Sequence, residues 1–191
     1  MKETDWEGAI AVAMGGEGNV ASNGFWAGLN IASTLHLPVL FFIEDNSYSL
    51  SVPSSLQTPN GNIATNLVGF GNLRTLQGDG TDPLEAWELI YHAINHVRGC
   101  NGPCLVRMRV PRLSGHTFID GQAYKPPQVR VAEAARDPLP KIMEFLQTQG
   151  VSVEAWETLE HEVVQELASS LCSAESYPEP DPSQATVSLF L

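Results

Sequence analysis

Apolar residues recur along this chain in two rhythms. Three short runs are apolar almost throughout: "AIAVAM" at 9–14, "PVLFFI" at 38–43 and "CLVRMRV" at 104–110. Each is bounded by glycine or polar turns and reads as a buried strand, and "NLRTLQ" at 72–77 reads as a further one. Between them the apolar positions fall every third or fourth residue. Phe25, Leu29, Ala32 and Leu35 predict a helix over 24–35 capped by Ser22 or Asn23. "NIATNLVGFG", 62–71, predicts a short helix closed by glycine. Leu84, Trp87, Ile90, Tyr91 and Ile94 predict one over 83–98, with Asp82 as cap and Pro83 at its first position. Continuous strands alternating with amphipathic helices predict an α/β fold, a doubly wound parallel sheet. "DNSYSLSVPSS" reads as loop. After Val110 the pattern stops, and 111–130 is polar, rich in Gly and Pro, and of a length that is usually functional. Two more amphipathic helices follow over 138–149 and 152–171, then a proline-rich tail. The expected organisation is an α/β domain at 1–137, including the loop 111–130, and a helical appendage with tail at 138–191.

Composition narrows the class. The 191 residues suffice for one domain with a true core, with or without an appendage. A formal charge of −12 repels nucleic acid and anionic lipid. The longest apolar stretch, "LPVLFFI" at 37–43, is far shorter than the roughly 20 residues of a membrane helix. No basic-then-apolar leader opens the chain. These features predict a cytoplasmic protein with no nucleic-acid partner and no membrane partner. Cys100, Cys104 and Cys172 are too sparse for a disulfide framework, and no histidine or cysteine partners complete a zinc site. His36, His92, His96 and His161 fall within helical patterns and read as helix-face residues. An anionic ligand would need backbone N–H groups or a metal ion.

One acid stands out. In "MGGEGNVASNG", 14–24, Glu17 sits among glycines at the end of a strand. Ligands of open parallel sheets lie beyond the carboxyl ends of the strands, and the next strand delivers Asp45 and Asn46 to the same end. If the two strands are neighbours, Glu17 and Asn46 face one point. A carboxylate, an amide oxygen and a free backbone carbonyl suit Mg²⁺ or Ca²⁺, and Mg²⁺ keeps positions open for phosphate oxygens. The glycines let backbone approach a phosphate, and the following helix adds a favourable dipole. Two alternatives stand beside this. One is a solvated acid in a turn. The other is a dinucleotide fingerprint, since "GEGNVA" at 16–21 fits Gly-x-Gly-x-x-Ala with Glu44 or Asp45 as the ribose acid. That reading, a nucleotide-binding oxidoreductase of Rossmann type, leaves Asn46, Ser47 and Tyr48 without a role.

The longer stretch "GGEGNVASNGFWAGLNIASTLHLPVLFFIEDNSYSLSVP", 15–53, resembles the thiamine diphosphate motif of the alpha subunit of 2-oxo acid dehydrogenases of the pyruvate and branched-chain type. "GPCLVRMRVPRLSGHTFIDGQAYK", 102–125, is similar to that subunit's strand and active-site loop, and "QGDGTDP", "ARDPLPKIMEFL" and "YPEPDPS" resemble later parts of it. The resemblance implies a thiamine diphosphate-binding fold, here incomplete. It implies Glu17, Asn46 and Tyr48 as magnesium ligands through carboxylate, amide oxygen and backbone carbonyl, with Gly18 and Asn19 against the diphosphate. His116 would serve both cofactor binding and acyl transfer, and Thr117 sits where some members carry a phosphoserine. The activity implied is oxidative decarboxylation of a 2-oxo acid with transfer of the acyl group to lipoamide. The partners implied are a beta subunit, which supplies the proton-relay glutamate within a heterotetramer, and a lipoyl acyltransferase component. The sequence departs from the pattern in three places. Glutamate replaces aspartate at 17. Asp45 replaces an asparagine and is expected to put negative charge beside the diphosphate. Ala27 stands at a frequent glutamate. The family's subunit carries roughly another half ahead of this point, so the chain is expected to be a fragment, a misplaced start or a shortened paralogue. Alone it is expected to show no turnover, because the proton-relay glutamate belongs to the beta subunit; the alternative is a catalytically silent truncated subunit.

Overall fold

The computed structural model describes residues 8–184. In chain order the elements are β1 (Ala11–Gly16), α1 (Asn23–Thr34), β2 (Val39–Asp45), β3 (Tyr48–Ser49), β4 (Val52–Pro53), α2 (Ile63–Asn66), β5 (Arg74–Asp79), α3 (Pro83–Arg98), β6 (Cys104–Arg109), α4 (Pro127–Ala134), α5 (Pro138–Thr148) and α6 (Val153–Ser176). Two compact units result, Met1–Ile142 and Met143–Leu191, parting inside α5.

In the first unit, β1, β2, β6 and β5 form a parallel sheet in that order. The two central strands are mostly apolar because helices cover both of their faces, and their charged residues, Glu44 and Asp45 of β2 and Arg107 and Arg109 of β6, fall toward the strand ends. On one face Phe41, Ile43 and Leu105 pack with Leu29 and Ala32 of α1 and with Ile63 and Ala64 of α2. On the other, Leu40, Val106 and Met108 pack with Ala93 and Val97 of α3. The expected doubly wound α/β fold is therefore present. Cys104 is buried on this second face, and burial pushes its thiol up to about 11. The helices start where the caps stand: the Ser22 hydroxyl accepts the Phe25 N–H at 3.3 Å, and Asp82 accepts those of Leu84 and Glu85.

Several expectations change. β1 is an edge strand, not a buried one: Val12 and Met14 are 52% and 65% exposed, because among the described residues only β2 pairs with it. His36 lies past the end of α1, at φ +52°. The segment after β2, read as loop, folds into the antiparallel β3–β4 hairpin. The loop after β6 becomes helical at Pro127, where a proline at the first position starts α4. α6 continues to Ser176, since no breaker precedes Pro178.

In the second unit, Gly150 at φ +90° turns the chain, and the Ser152 hydroxyl caps α6 by accepting the Ala155 N–H. Among the described residues no helix is long and apolar enough to cross a membrane.

Candidate active site

β1 and β2 are adjacent and parallel, with Gly16 opposite Glu44, so the residues just past each strand emerge side by side. Glu17 Oε2 accepts the Asn46 N–H at 3.0 Å. Glu17 is 3% exposed, and its other oxygen, Oε1, is buried without a hydrogen-bond partner among the described residues. Burial pushes the carboxyl up from its ordinary range, partly offset by backbone N–H groups of Glu17 and Asn46. A desolvated carboxylate with an orphaned oxygen is a group that a hard cation would stabilise.

Asn46 is held by an Asx turn, its Oδ1 accepting the Tyr48 N–H at 3.1 Å. Among the described residues no other group donates to that oxygen. The Tyr48 carbonyl accepts from Arg112 Nη2 at 2.8 Å, so the third expected metal ligand already carries a guanidinium on one lone pair. The same side chain donates to the Leu50 carbonyl and to the Tyr124 hydroxyl, which ties the loop after β6 to the β3–β4 hairpin. Gly18 is required by this hairpin: a Cβ there would lie 2.3 Å from Ser49 Oγ.

Gly18, Asn19, Asn46, Tyr48, Arg112 and His116 line one cleft of about 760 Å³, and Glu17 is buried between its lining glycines Gly16 and Gly18. His116 is exposed, and its backbone N–H donates to Asp120 Oδ2 at 2.8 Å. Asp120 also accepts the Gln122 N–H and the Tyr124 hydroxyl. These donors, the His116 N–H foremost, hold its carboxyl below the ordinary range. Gly115 permits the tight loop, since a Cβ there would lie 2.1 Å from the Asp120 carbonyl. Lys125 is buried, donates to Glu133 Oε2 at 2.6 Å and to the Arg112 carbonyl, and lies 5.1 Å from the Tyr48 ring centre. Five of the six expected residues thus line one cleft, Glu17 is joined to it through Asn46, and the structure adds Arg112 to the lining and Asp120, Tyr124 and Lys125 as the contacts that hold Arg112 and the loop. Their one trace in the sequence is the mixture of charge and aromatic character within an otherwise Gly- and Pro-rich loop.

The expectation for Asp45 is corrected. Its carboxylate does not stand unpaired beside a diphosphate site; it is buried and paired with Arg107 of β6 at 2.5 Å. That pairing also removes Asp45 as a free acid for a ribose. No cluster of three or more His, Cys, Asp or Glu side chains among the described residues could hold a metal, so any cation here needs amide and backbone oxygens.

Comparison with known proteins agrees with this geometry. The family model described as dehydrogenase E1 component matches residues 1–183. The chain is 31% identical over 172 residues to a 2-oxoisovalerate dehydrogenase subunit alpha of Bacillus subtilis, covering 89% of this chain and 52% of that one. It is 30% identical over 146 residues to a 3-methyl-2-oxobutanoate dehydrogenase subunit alpha of Mycobacterium tuberculosis, covering 76% and 40%. It is 27% identical over 169 residues to a pyruvate dehydrogenase E1 component subunit alpha of Staphylococcus aureus, covering 87% and 44%. The chain therefore spans about half the length, or less, of these curated relatives. A model match along nearly the whole chain, on a parallel sheet whose strand tips bring Glu17 to Asn46, makes the chain a member of the dehydrogenase E1 component family, on its alpha-subunit side.

Proposed function

We propose that this chain holds thiamine diphosphate through Mg²⁺ as part of a 2-oxo acid dehydrogenase alpha subunit. The reaction would be the oxidative decarboxylation of a 2-oxo acid, with the acyl group passed to a lipoyl group. The observation that carries the reading is the buried, unpartnered Glu17 Oε1 beside Asn46. Glu17 and Asn46 would hold the cation through side-chain oxygens, and Tyr48 through the second lone pair of its carbonyl. Gly18 and Asn19 would present bare backbone to the diphosphate. When bound, thiamine diphosphate supplies carbanion stabilisation for the loss of carbon dioxide. Arg112 and Lys125 lie over the Tyr48 ring, and His116, on the same loop as both, lines the cleft. In this reading its imidazole would hold or move a proton during acyl transfer.

In this reading the working assembly is cytoplasmic and needs a beta subunit and a lipoyl acyltransferase component. The chain alone should show no decarboxylation, because the proton-relay glutamate belongs to the partner. Calorimetry with thiamine diphosphate, with and without EDTA, on wild type and Glu17→Ala, tests the metal bridge. Heat should appear only for wild type with Mg²⁺ present. Equal heats in all four titrations would overturn the reading.

A further inference from the structure

We infer that Arg107 is a positioning residue for the turn that carries the proposed metal ligands, and that it acts through Asp45. The inference rests on the metal site proposed above. The Asp45 side chain is 2% exposed and that of Arg107 13%. Arg107 Nε and Nη2 both reach Asp45 Oδ2, at 2.6 and 2.5 Å. This leaves Asp45 Oδ1 to accept the Ser47 N–H at 2.8 Å, while the Asp45 carbonyl accepts the Val110 N–H at 2.9 Å. Asp45 therefore joins the end of β2, the end of β6 and the turn.

That turn needs holding. Ser47 sits at φ +68°, a left-handed backbone that a serine adopts only when its surroundings impose it. Asn46 and Tyr48 flank it, and the Asn46 N–H is the group that meets Glu17. Arg107 is itself steered by the Gln77 Oε1 of β5 at 3.3 Å, an oxygen that also accepts from Asn62 Nδ2 at 3.0 Å. A chain of polar contacts thus runs from the start of α2 through β5 and β6 to the turn. Its second effect is on charge. Arg107 offsets the charge of Asp45, a carboxylate near enough to Glu17 to help push its carboxyl up, so that in the proposed site Glu17 would be the buried acid that faces the cation. Without Arg107, Asp45 would be a buried carboxylate with no counter-charge.

Amide hydrogen exchange and Mn²⁺ binding followed by electron paramagnetic resonance, on the full chain, test this in Arg107→Gln and in Asp45→Asn/Arg107→Gln. In the single variant the amides of Asn46, Ser47 and Tyr48 should exchange about tenfold faster or more, and Mn²⁺ should bind about tenfold more weakly, the loss expected of a charge-assisted hydrogen bond. Phe41 and Leu105 should stay protected. In the double variant a neutral amide can still accept from Ser47, and both readouts should return to within about threefold of wild type. Unchanged turn protection in Arg107→Gln overturns the inference, and so does protection lost uniformly across the sheet. Absence of Mn²⁺ binding by wild type overturns the metal reading alone, since the exchange pattern still decides the role of Arg107. If Arg107→Gln does not fold, Arg107→Lys, which keeps the charge on a single donor nitrogen and loses the fork, should show the same localised change at smaller size, and a uniform loss there overturns the proposal.

Discussion

Asp79, at the tip of β5, shows how single residues divide stability from chemistry here. Burial works against its charge, but the Thr81 N–H, the Thr81 hydroxyl and Arg136 outweigh it and hold the carboxyl well below the ordinary range. A depressed value means that its contribution is complete above the unfolded value near pH 4 and fades as pH falls through the folded one. Asp79→Asn should cost roughly 2 kcal/mol at pH 7, and urea melts across pH should show wild type and variant converging below about pH 4. Glu17 is the opposite case, a carboxyl raised by burial. It was legible as a site from its place at a strand tip among glycines. Asp45 was not legible as an ion-paired residue, because its partner lies 62 positions away and only the β2–β6 pairing brings them together. Arg112 escaped for a related reason: nothing in a polar loop says whose carbonyl an arginine will meet.

Between elements, the Lys125–Glu133 pair joins the loop after β6 to α4. The ammonium is fully buried and the carboxylate nearly so. Lys125→Met should cost about 3 kcal/mol, the usual toll for leaving one member of a buried pair alone. Limited proteolysis should then cut the variant faster near Phe118 and Ile119, both of which are exposed. Ser22→Ala should cost about 1 kcal/mol by uncapping α1, read as a lower urea midpoint. Helices with caps and a strong apolar stripe, α1 and α3, were legible to within a residue or two. α4 was not. Its Val131 faces solvent, so no buried stripe announces the helix, and the two prolines at its start, Pro126 and Pro127, look like loop. The β3–β4 hairpin was hidden because strands of two residues carry no periodicity.

At the scale of the whole molecule, strand existence and fold class were legible, whereas the order β1-β2-β6-β5 was not, since periodicity says nothing about neighbours. Among the described residues β1 has no neighbour on its outer edge and exposes Val12 and Met14, a feature that invites strand pairing between chains. The charge of −12 opposes such pairing at neutral pH. Sedimentation should show self-association growing as pH approaches 4.7, and Met14→Lys should reduce it with little change in stability. The thiols offer a way to watch the sheet open. Cys100 and Cys172 face solvent, whereas Cys104 sits inside β6 with its proton held to about pH 11. An alkylating reagent should therefore label two sulfurs at once and reach the third only when the central strand comes apart, so the lag between the second and third adducts is a clock for the lifetime of the native core.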